Sequence, residues 1–319
     1  MKLVALYVNL QPKFFPRLIS EKSLTAAQSP AFSARLKDYG LLTKLRLSSL
    51  VVFSAAIGFV IGNRGDFFIS QLCWLILGGF LVTGSSNAFN QIIERDLDRL
   101  MDRTKNRPLP AGRMSVMEAM LAAILMGVAG ILILWFFMNP MCGLLSALSL
   151  LIYTLIYTPS KRITPFSVFI GAIPGAFPPL LGYVAATNQI GMEALLLYFL
   201  QFIWQFPHFW AIAWVMDDDY KKAGFKMLPS KGGRDRNTAF QTMAYTLSLV
   251  PLALLLIFFG HFSAWSTSLV AAAGIFFAGP SFRLYRHLDI ASAKKLMYAS
   301  FIYLPVVQLL LMIDKLLKY

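Results

Sequence analysis

At 319 residues, with 57% hydrophobic and only 14% charged side chains, the chain lies far from a water-soluble composition, which carries nearer about 25% charge. Its apolar residues gather in runs near the ~20 needed to span a bilayer, which excludes a soluble globular domain. The net charge of +14 is no nucleic-acid signal either, because the basic residues sort by loop.

In chain order, residues 1–45 carry scattered basic side chains and no apolar stretch followed by a small-residue cleavage site. They read as a cytoplasmic tail rather than a secretory signal. Glu21 and Asp38 argue against a mitochondrial presequence. Nine spans follow within a transmembrane domain of residues 46–319: about 47–64, 70–92, 115–138, 141–158, 166–186, 193–215, 238–259, 264–284 and 295–314. With the N-terminus inside, the tail and the inside loops hold 26 of the 29 Lys and Arg; only Arg64, Lys315 and Lys318 fall outside. A bias this strong predicts the orientation: N-terminus cytoplasmic, C-terminus outside. Cys73 and Cys142 are lone cysteines in or beside spans, with no metal-ligand spacing. His261 and His287 read as loop residues without an evident role.

The acids are as unevenly placed as the bases. Glu94, Asp96, Asp98 and Asp102 follow the second span, and Asp217, Asp218 and Asp219 follow the sixth, both on the basic side. Asn90, Glu94, Asp98 and Asp102 recur every four residues, which on a helix places them on one face about 6 Å apart. Such a row of oxygens suits a hard divalent cation that is itself bound to phosphate. Arg95, Arg99 and Arg103 form the adjacent stripe, and Arg107 before Pro108 has the planar fork that clamps diphosphate. The bland alternative is a solvated helix end whose acids pair with those arginines. After the fourth span come Tyr153, Tyr157, Lys161 and Arg162. They read either as a basic pair that anchors helices or as cations facing a leaving diphosphate below two aromatic rings that stabilise a carbocation. In the second acid stretch Asp219, directly before Tyr220, is the acid best placed to act. His208, three turns earlier in an apolar span, reads as a hydrogen-bonded structural residue or as a contact to haem iron or porphyrin. The Gly171-Ala-Ile-Pro-Gly-Ala-Phe-Pro-Pro179 stretch predicts a break in the fifth span, tolerated where neighbours or a cavity satisfy the freed backbone.

Taken together, Asn90-x3-Glu94-x3-Asp98, Met101-x-Arg103-Thr-x2-Arg107-Pro-Leu, Tyr157-Thr-Pro-x-Lys161-Arg162-x-Thr-Pro, Trp204-Gln-x-Pro207-His208-Phe209 and Asp219-Tyr220-x3-Gly224-x2-Met227-Leu-Pro229 resemble the UbiA-type intramembrane prenyltransferases. The Met-x-Arg-Thr and Trp-Gln-x-Pro-His-Phe strings resemble the branch that prenylates haem. The resemblance implies an all-α polytopic membrane protein with about nine helices around a central cavity open to the cytoplasmic side. It implies farnesyl diphosphate and haem b as substrates, haem O and diphosphate as products, Mg2+ as cofactor, a bacterial plasma membrane, contact with membrane lipid, and association with haem A synthase or oxidase assembly factors. Asn90, Glu94, Asp98 and Asp219 are then the catalytic set, with Glu94, Asp98, Asp102 and Asp219 on the metal. Arg103, Arg107, Lys161 and Arg162 fall on the diphosphate, and Tyr153, Tyr157 and His208 on the substrates. Glu94 departs from the Asp that many relatives carry. Two rival readings remain at this stage. A relative acting on an aromatic quinone precursor should lack Pro207-His208-Phe209, and a cation-coupled transporter should carry few arginines among its acids.

Overall fold

Wherever the chain stays apolar for a bilayer's width it is helical, because only a helix satisfies every backbone group within its own segment in hydrocarbon. The computed structural model describes residues 32–63, 65, 69–259 and 261–318; most of the expected tail, and Arg64, lie outside these. A helix Phe32–Leu42 leads into residues 38–319, which form one compact unit. Among the described residues nine helices are long and apolar enough to cross a membrane: α1 Leu45–Gly62, α2 Ile69–Ile93, α3 Val116–Met138, α4 Pro140–Ser160, α5 Ser167–Thr187, α6 Met192–Lys222, α7 Arg236–Phe258, α8 Ala264–His287 and α9 Ile290–Lys318. The number matches the sequence reading, and no strand occurs among the described residues. Helix α6 runs seven residues past its expected end at 215. There Asp217 and Lys221 form an i,i+4 pair at 2.7 Å, which keeps the polar extension helical.

The starts follow from capping chemistry. Ser115 accepts from Glu118 N–H at 3.0 Å at the head of α3. Asn139 accepts from Cys142 N–H at 2.9 Å, with Pro140 at the first helical position of α4. Asp235 accepts from Thr238 N–H at 2.7 Å ahead of α7. Helix α3 ends in a π-helical turn, Leu134–Met138, and α4 carries a second, Ile152–Tyr157, just before its last turn. The second turn carries Tyr153 and Tyr157, and such turns gather at functional sites.

The fifth span is broken as its composition predicts, at Ala176 between Ser167–Gly175 and Phe177–Thr187. Pro179 has no N–H to give the Gly175 carbonyl. The Gln201 side-chain amide of α6 donates to that carbonyl instead, at 2.8 Å. The same Gln201 accepts from Ser54 of α1 at 2.8 Å and from Gln308 of α9 at 2.9 Å, so the repair also ties three helices together in a region where such bonds favour association. Helices α1 and α5 cross at backbone contact. A Cβ on Gly182 would lie 1.8 Å from the Ala55 carbonyl oxygen, and one on Gly58 2.1 Å from that of Pro179.

Large apolar side chains such as Leu125, Phe136, Phe258 and Phe276 are exposed; in water they would be a liability, against lipid they are the expected surface. Cys73 is exposed and Cys142 buried, and both are free. Because the helices alternate, the ends of α2, α4, α6 and α8 and the starts of α3, α5, α7 and α9 share one face of the bundle. Both acid-rich stretches lie on it.

Candidate active site

At the end of α2 three successive turns each present an oxygen to a cation. Asn90 Oδ1 accepts from Lys44 Nζ at 3.2 Å, while its amide donates to Thr158 Oγ1 of α4 at 3.3 Å. One turn on, Glu94 Oε1 accepts from Lys161 Nζ at 2.9 Å. A further turn on, Asp98 Oδ2 accepts from Arg107 Nη1 at 2.7 Å. Asn90, Glu94, Asp98 and Lys161 are all buried, Asp98 to 1% exposure. Two carboxylates thus face three cations in a low-dielectric pocket, a balance that favours an added anion.

The polypeptide is shaped locally to make this set. The helix proper stops at Ile93, and Glu94 sits at φ −93°, ψ 6° before a single further turn, Arg95–Asp98. The Thr104 hydroxyl donates to the Asp98 carbonyl at 2.9 Å and folds the following loop back, which delivers Arg107 to Asp98. Lys44 occupies a left-handed turn, φ 50°, between the leading helix and α1, and its ammonium enters the site from that bend. Burial, then the neighbouring Arg107 and Lys161 charges, pull the Lys44 pKa down to about 7. Burial works against the charge on Lys161 too, but Glu94 and the nearby Tyr153 outweigh it and the ammonium is held above its usual range.

An aromatic wall stands beside Lys161. Its Nζ lies 4.7 Å from the Tyr157 ring centroid and 5.7 Å from that of Phe225. The Tyr153 and Tyr157 rings are 5.1 Å apart. Tyr157 lies against α5 only because residue 171 is glycine: a Cβ there would sit 2.6 Å from its ring.

The second acid stretch closes over the first. The Asp219 carboxylate accepts from the backbone N–H groups of Asp102 and Arg103, each at 3.3 Å. Lys222 bridges Asp102 at 2.6 Å and Asp219 at 3.0 Å, and Lys226 N–H donates to the Lys161 carbonyl at 2.7 Å. The acid triple therefore divides by task. Asp217 pairs with Lys221, and Asp218 with Arg234 at 3.1 Å, while Arg234 also donates to the Trp214 carbonyl at 2.7 Å. These two brace the loop after α6; Asp219 alone of the three reaches the loop after α2.

The structure also separates residues that the four-residue spacing placed together. Asp102 lies beyond the helix end, exposed, and Lys105 and Lys222 hold its carboxyl down at about 2. Arg95 and Arg99 pair with exposed Asp96 at 3.0 and 3.3 Å, the solvated arrangement, worth little. The Arg103 and Arg162 side chains are exposed. His208 sits on α6 well away from the acids, stacked on Trp204 at 4.4 Å, with Nδ1 2.8 Å from the Ser300 hydroxyl of α9. Lys44, Thr158, Phe225 and Lys222 join the site without having been singled out in the sequence. Thr158 stands in the Tyr157-Thr-Pro string, and Lys44 lies three residues before the expected first span.

For a cation, the decisive atom is Asp98 Oδ1, which is buried and has no hydrogen-bond partner. Burial pushes the Asp98 carboxyl above its usual range, against the pull of Arg107. A carboxylate so placed is stabilised by an arriving cation. Among the described residues no three His, Cys, Asp or Glu side chains group closely enough to hold an ion unaided. The donor set fits a magnesium ion that keeps substrate phosphate oxygens among its ligands, as that ion does.

The arrangement sits at one end of the nine described helices long and apolar enough to cross a membrane. A family model described as the UbiA prenyltransferase family matches residues 51–304, and the chain belongs to that family. Curated relatives include the protoheme IX farnesyltransferase of Cytophaga hutchinsonii, 45% identical over 283 residues, covering 89% of this chain and 99% of the relative. That of Gloeobacter violaceus is 39% identical over 293 residues, covering 91% and 95%. Among solved structures, one of a digeranylgeranylglyceryl phosphate synthase superposes with a TM-score of 0.74 at 20% identity, over 88% of this chain and 99% of that one. A UbiA homolog from Archaeoglobus fulgidus bound to GPP and Mg2+ superposes with a TM-score of 0.63 at 17% identity, over 86% and 99%. These two establish the shared fold. Family membership removes the transporter reading.

Lys44 gives the site a pH signature. Protonated below about 7 and neutral above it, it should bind inorganic diphosphate more weakly as pH rises from acid to mildly alkaline. In Lys44→Met that component should vanish, leaving only the ligand's own ionisation. Calorimetric titration across this range is the test, and identical pH profiles for the two proteins would remove Lys44 from the anion site.

Proposed function

We propose that this protein transfers the farnesyl group of farnesyl diphosphate to the 2-vinyl group of haem b, with addition of water, giving haem O and diphosphate for haem–copper oxidase assembly. The carrying observation is the buried row Asn90, Glu94 and Asp98 with its three cations. The names of the relatives at 39–45% identity over nearly their whole length support haem as the acceptor. The sorted basic residues support an N-terminus and a site on the cytoplasmic side, and the bacterial sources of the relatives support a plasma membrane.

Lys161, Arg107 and Lys44 bind and orient the diphosphate, and Arg103 and Arg162 lie at the rim. Glu94 and Asp98, with Asp219 at the mouth, would hold Mg2+, which supplies charge neutralisation to the leaving group. The bond between farnesyl C1 and the bridging oxygen breaks, and its electron pair leaves with the diphosphate, where the three cations meet the developing charge. Tyr153 and Tyr157 turn their rings to the allylic cation. The vinyl π electrons form the new carbon–carbon bond, water adds to the carbon next to the pyrrole, and its proton passes to solvent. The protein supplies no nucleophile. Association with haem A synthase would hand the product directly to its consumer.

The test is direct. Purified protein in nanodiscs, given farnesyl diphosphate, haem b and magnesium, should yield haem O by liquid chromatography and mass spectrometry. Prenylation of an aromatic quinone precursor with none of haem would overturn the reading. His208 provides a second check, because only its Nδ1 is engaged, by the Ser300 hydroxyl. His208→Ala should weaken haem binding and shift the Soret band, with farnesyl diphosphate affinity unchanged. An unaltered band and haem affinity would leave His208 a structural residue.

A further inference from the structure

The turn between α8 and α9 lies on the same face of the bundle as the active site but shares no residue with it. A cavity of about 400 Å³ opens there, lined by Gly279, Phe282, Arg283, Arg286, His287 and Lys295. Gly279, Arg283 and Arg286–His287 fall at i, i+4 and i+7/i+8, so one stripe of α8 forms the wall. From Gly279 to His287 it runs about 12 Å along the axis. Gly279 makes the recess: a Cβ built there meets no atom within 4 Å. The deep end is apolar, with exposed Phe276 and Phe282 beside it, and the shallow end is cationic.

At the active site Lys161, Arg107, Lys222 and Arg234 are matched by Glu94, Asp98, Asp219 and Asp218. Among the described residues no carboxylate lies within ion-pair distance of Arg283, Arg286 or Lys295. The local acid, Asp289, caps α9 through Ser292 N–H at 2.6 Å, and its carboxylate also feels the charges of His287 and Lys295. Basic residues at a helix end commonly snorkel singly to water and need no ligand. Arg283, Arg286 and Lys295 instead line one recess, all exposed, and an anion held among them would offset their mutual repulsion. Arg286 also lies 6.0 Å from the Phe282 ring, which brings the charged and the apolar walls together.

We propose that this recess is a binding site for an anionic phospholipid of the surrounding bilayer. Arg283, Arg286 and Lys295 grip the phosphate and an acyl chain lies in the notch at Gly279. A phosphate carrying an apolar chain satisfies both ends, and basic pockets between helices at the cytoplasmic interface recognise such head groups. The site is independent of the catalytic reading.

The full-length protein, reconstituted in nanodiscs of equal phosphatidylcholine and phosphatidylglycerol, should retain phosphatidylglycerol in native mass spectra with an enrichment on the order of tenfold. Arg283→Gln/Arg286→Gln/Lys295→Gln should abolish the enrichment. Lys294→Gln, an exposed neighbour outside the recess, should keep it. Gly279→Leu fills the notch without touching a charge, on a surface that tolerates apolar bulk, and should reduce it as well. Millimolar inorganic phosphate should leave the lipid in place; displacement by phosphate would make this a free-phosphate site and refute the lipid assignment. No enrichment in the wild-type protein, or equal enrichment in wild type and Gly279→Leu, would overturn the proposal outright. An equal loss in Lys294→Gln would reduce it to a general effect of surface charge.

Discussion

Asp98→Ala is expected to lower prenyl transfer by roughly a thousandfold or more while leaving the protein folded. Asp98 is 1% exposed, pairs with Arg107 through one oxygen at 2.7 Å, and keeps the other without a partner. Losing one of few carboxylates on a metal–diphosphate centre removes several kcal/mol of transition-state stabilisation, and each ~1.4 kcal/mol is tenfold in rate. Folding should survive because Arg107, the partner left behind, is only half-buried and its guanidinium can turn to water. Asp98→Asn should be nearly as inactive, since it keeps the shape and loses the charge. Asp102→Ala should do far less, its carboxylate being exposed and tied to Lys105 and Lys222. Turnover at saturating magnesium decides the matter. An Asp98→Ala enzyme near the wild-type rate would sink the assignment of Asp98, and equal losses at Asp98 and Asp102 would restore the continuous four-acid stripe.

That contrast marks where sequence periodicity stops being informative. Span number and the face carrying both acid stretches were legible, because apolar runs and charge sorting are one-dimensional signals. The break in α5 was legible from Pro and Gly, whereas its repair by Gln201 of α6 depends on which helix packs opposite. A four-residue repeat assumes an unbroken helix. The backbone leaves α2 at Ile93, so the repeat holds for Asn90 and Glu94, survives one turn to Asp98, and fails at Asp102. Arg95 and Arg99 answered to solvent and Asp96 rather than to the site. Lys44 was missed because its role follows from a left-handed turn and a contact 46 residues away. His261, read as idle, lies 3.3 Å from the buried Glu193 carboxylate, a pairing that only the tertiary arrangement discloses. His287, read as a loop residue, ends α8 and lines the recess proposed above.

Lys161→Met should damage both stability and turnover, and the two effects can be separated. Its ammonium lies 2.9 Å from Glu94, both side chains nearly inaccessible. Removing one partner strands a buried charge, at a cost of about 3–5 kcal/mol, so a low yield of the single variant says nothing about catalysis. Glu94→Gln/Lys161→Met, with neither charge, should recover much of the yield and melting temperature. The functional comparison is then between Glu94→Gln and the double variant, which differ only in the ammonium. Read as binding of inorganic diphosphate without metal, at about pH 6 where the lysine stays protonated, the double variant should bind roughly 10–100-fold more weakly, the worth of a charge-assisted hydrogen bond. Arg162→Ala, whose side chain is exposed, should lose little by the same measure. The basic pair is then one clamp and one rim charge rather than two equal anchors. Equal diphosphate affinity in Glu94→Gln and the double variant would make Lys161 a counterion to Glu94 and nothing more.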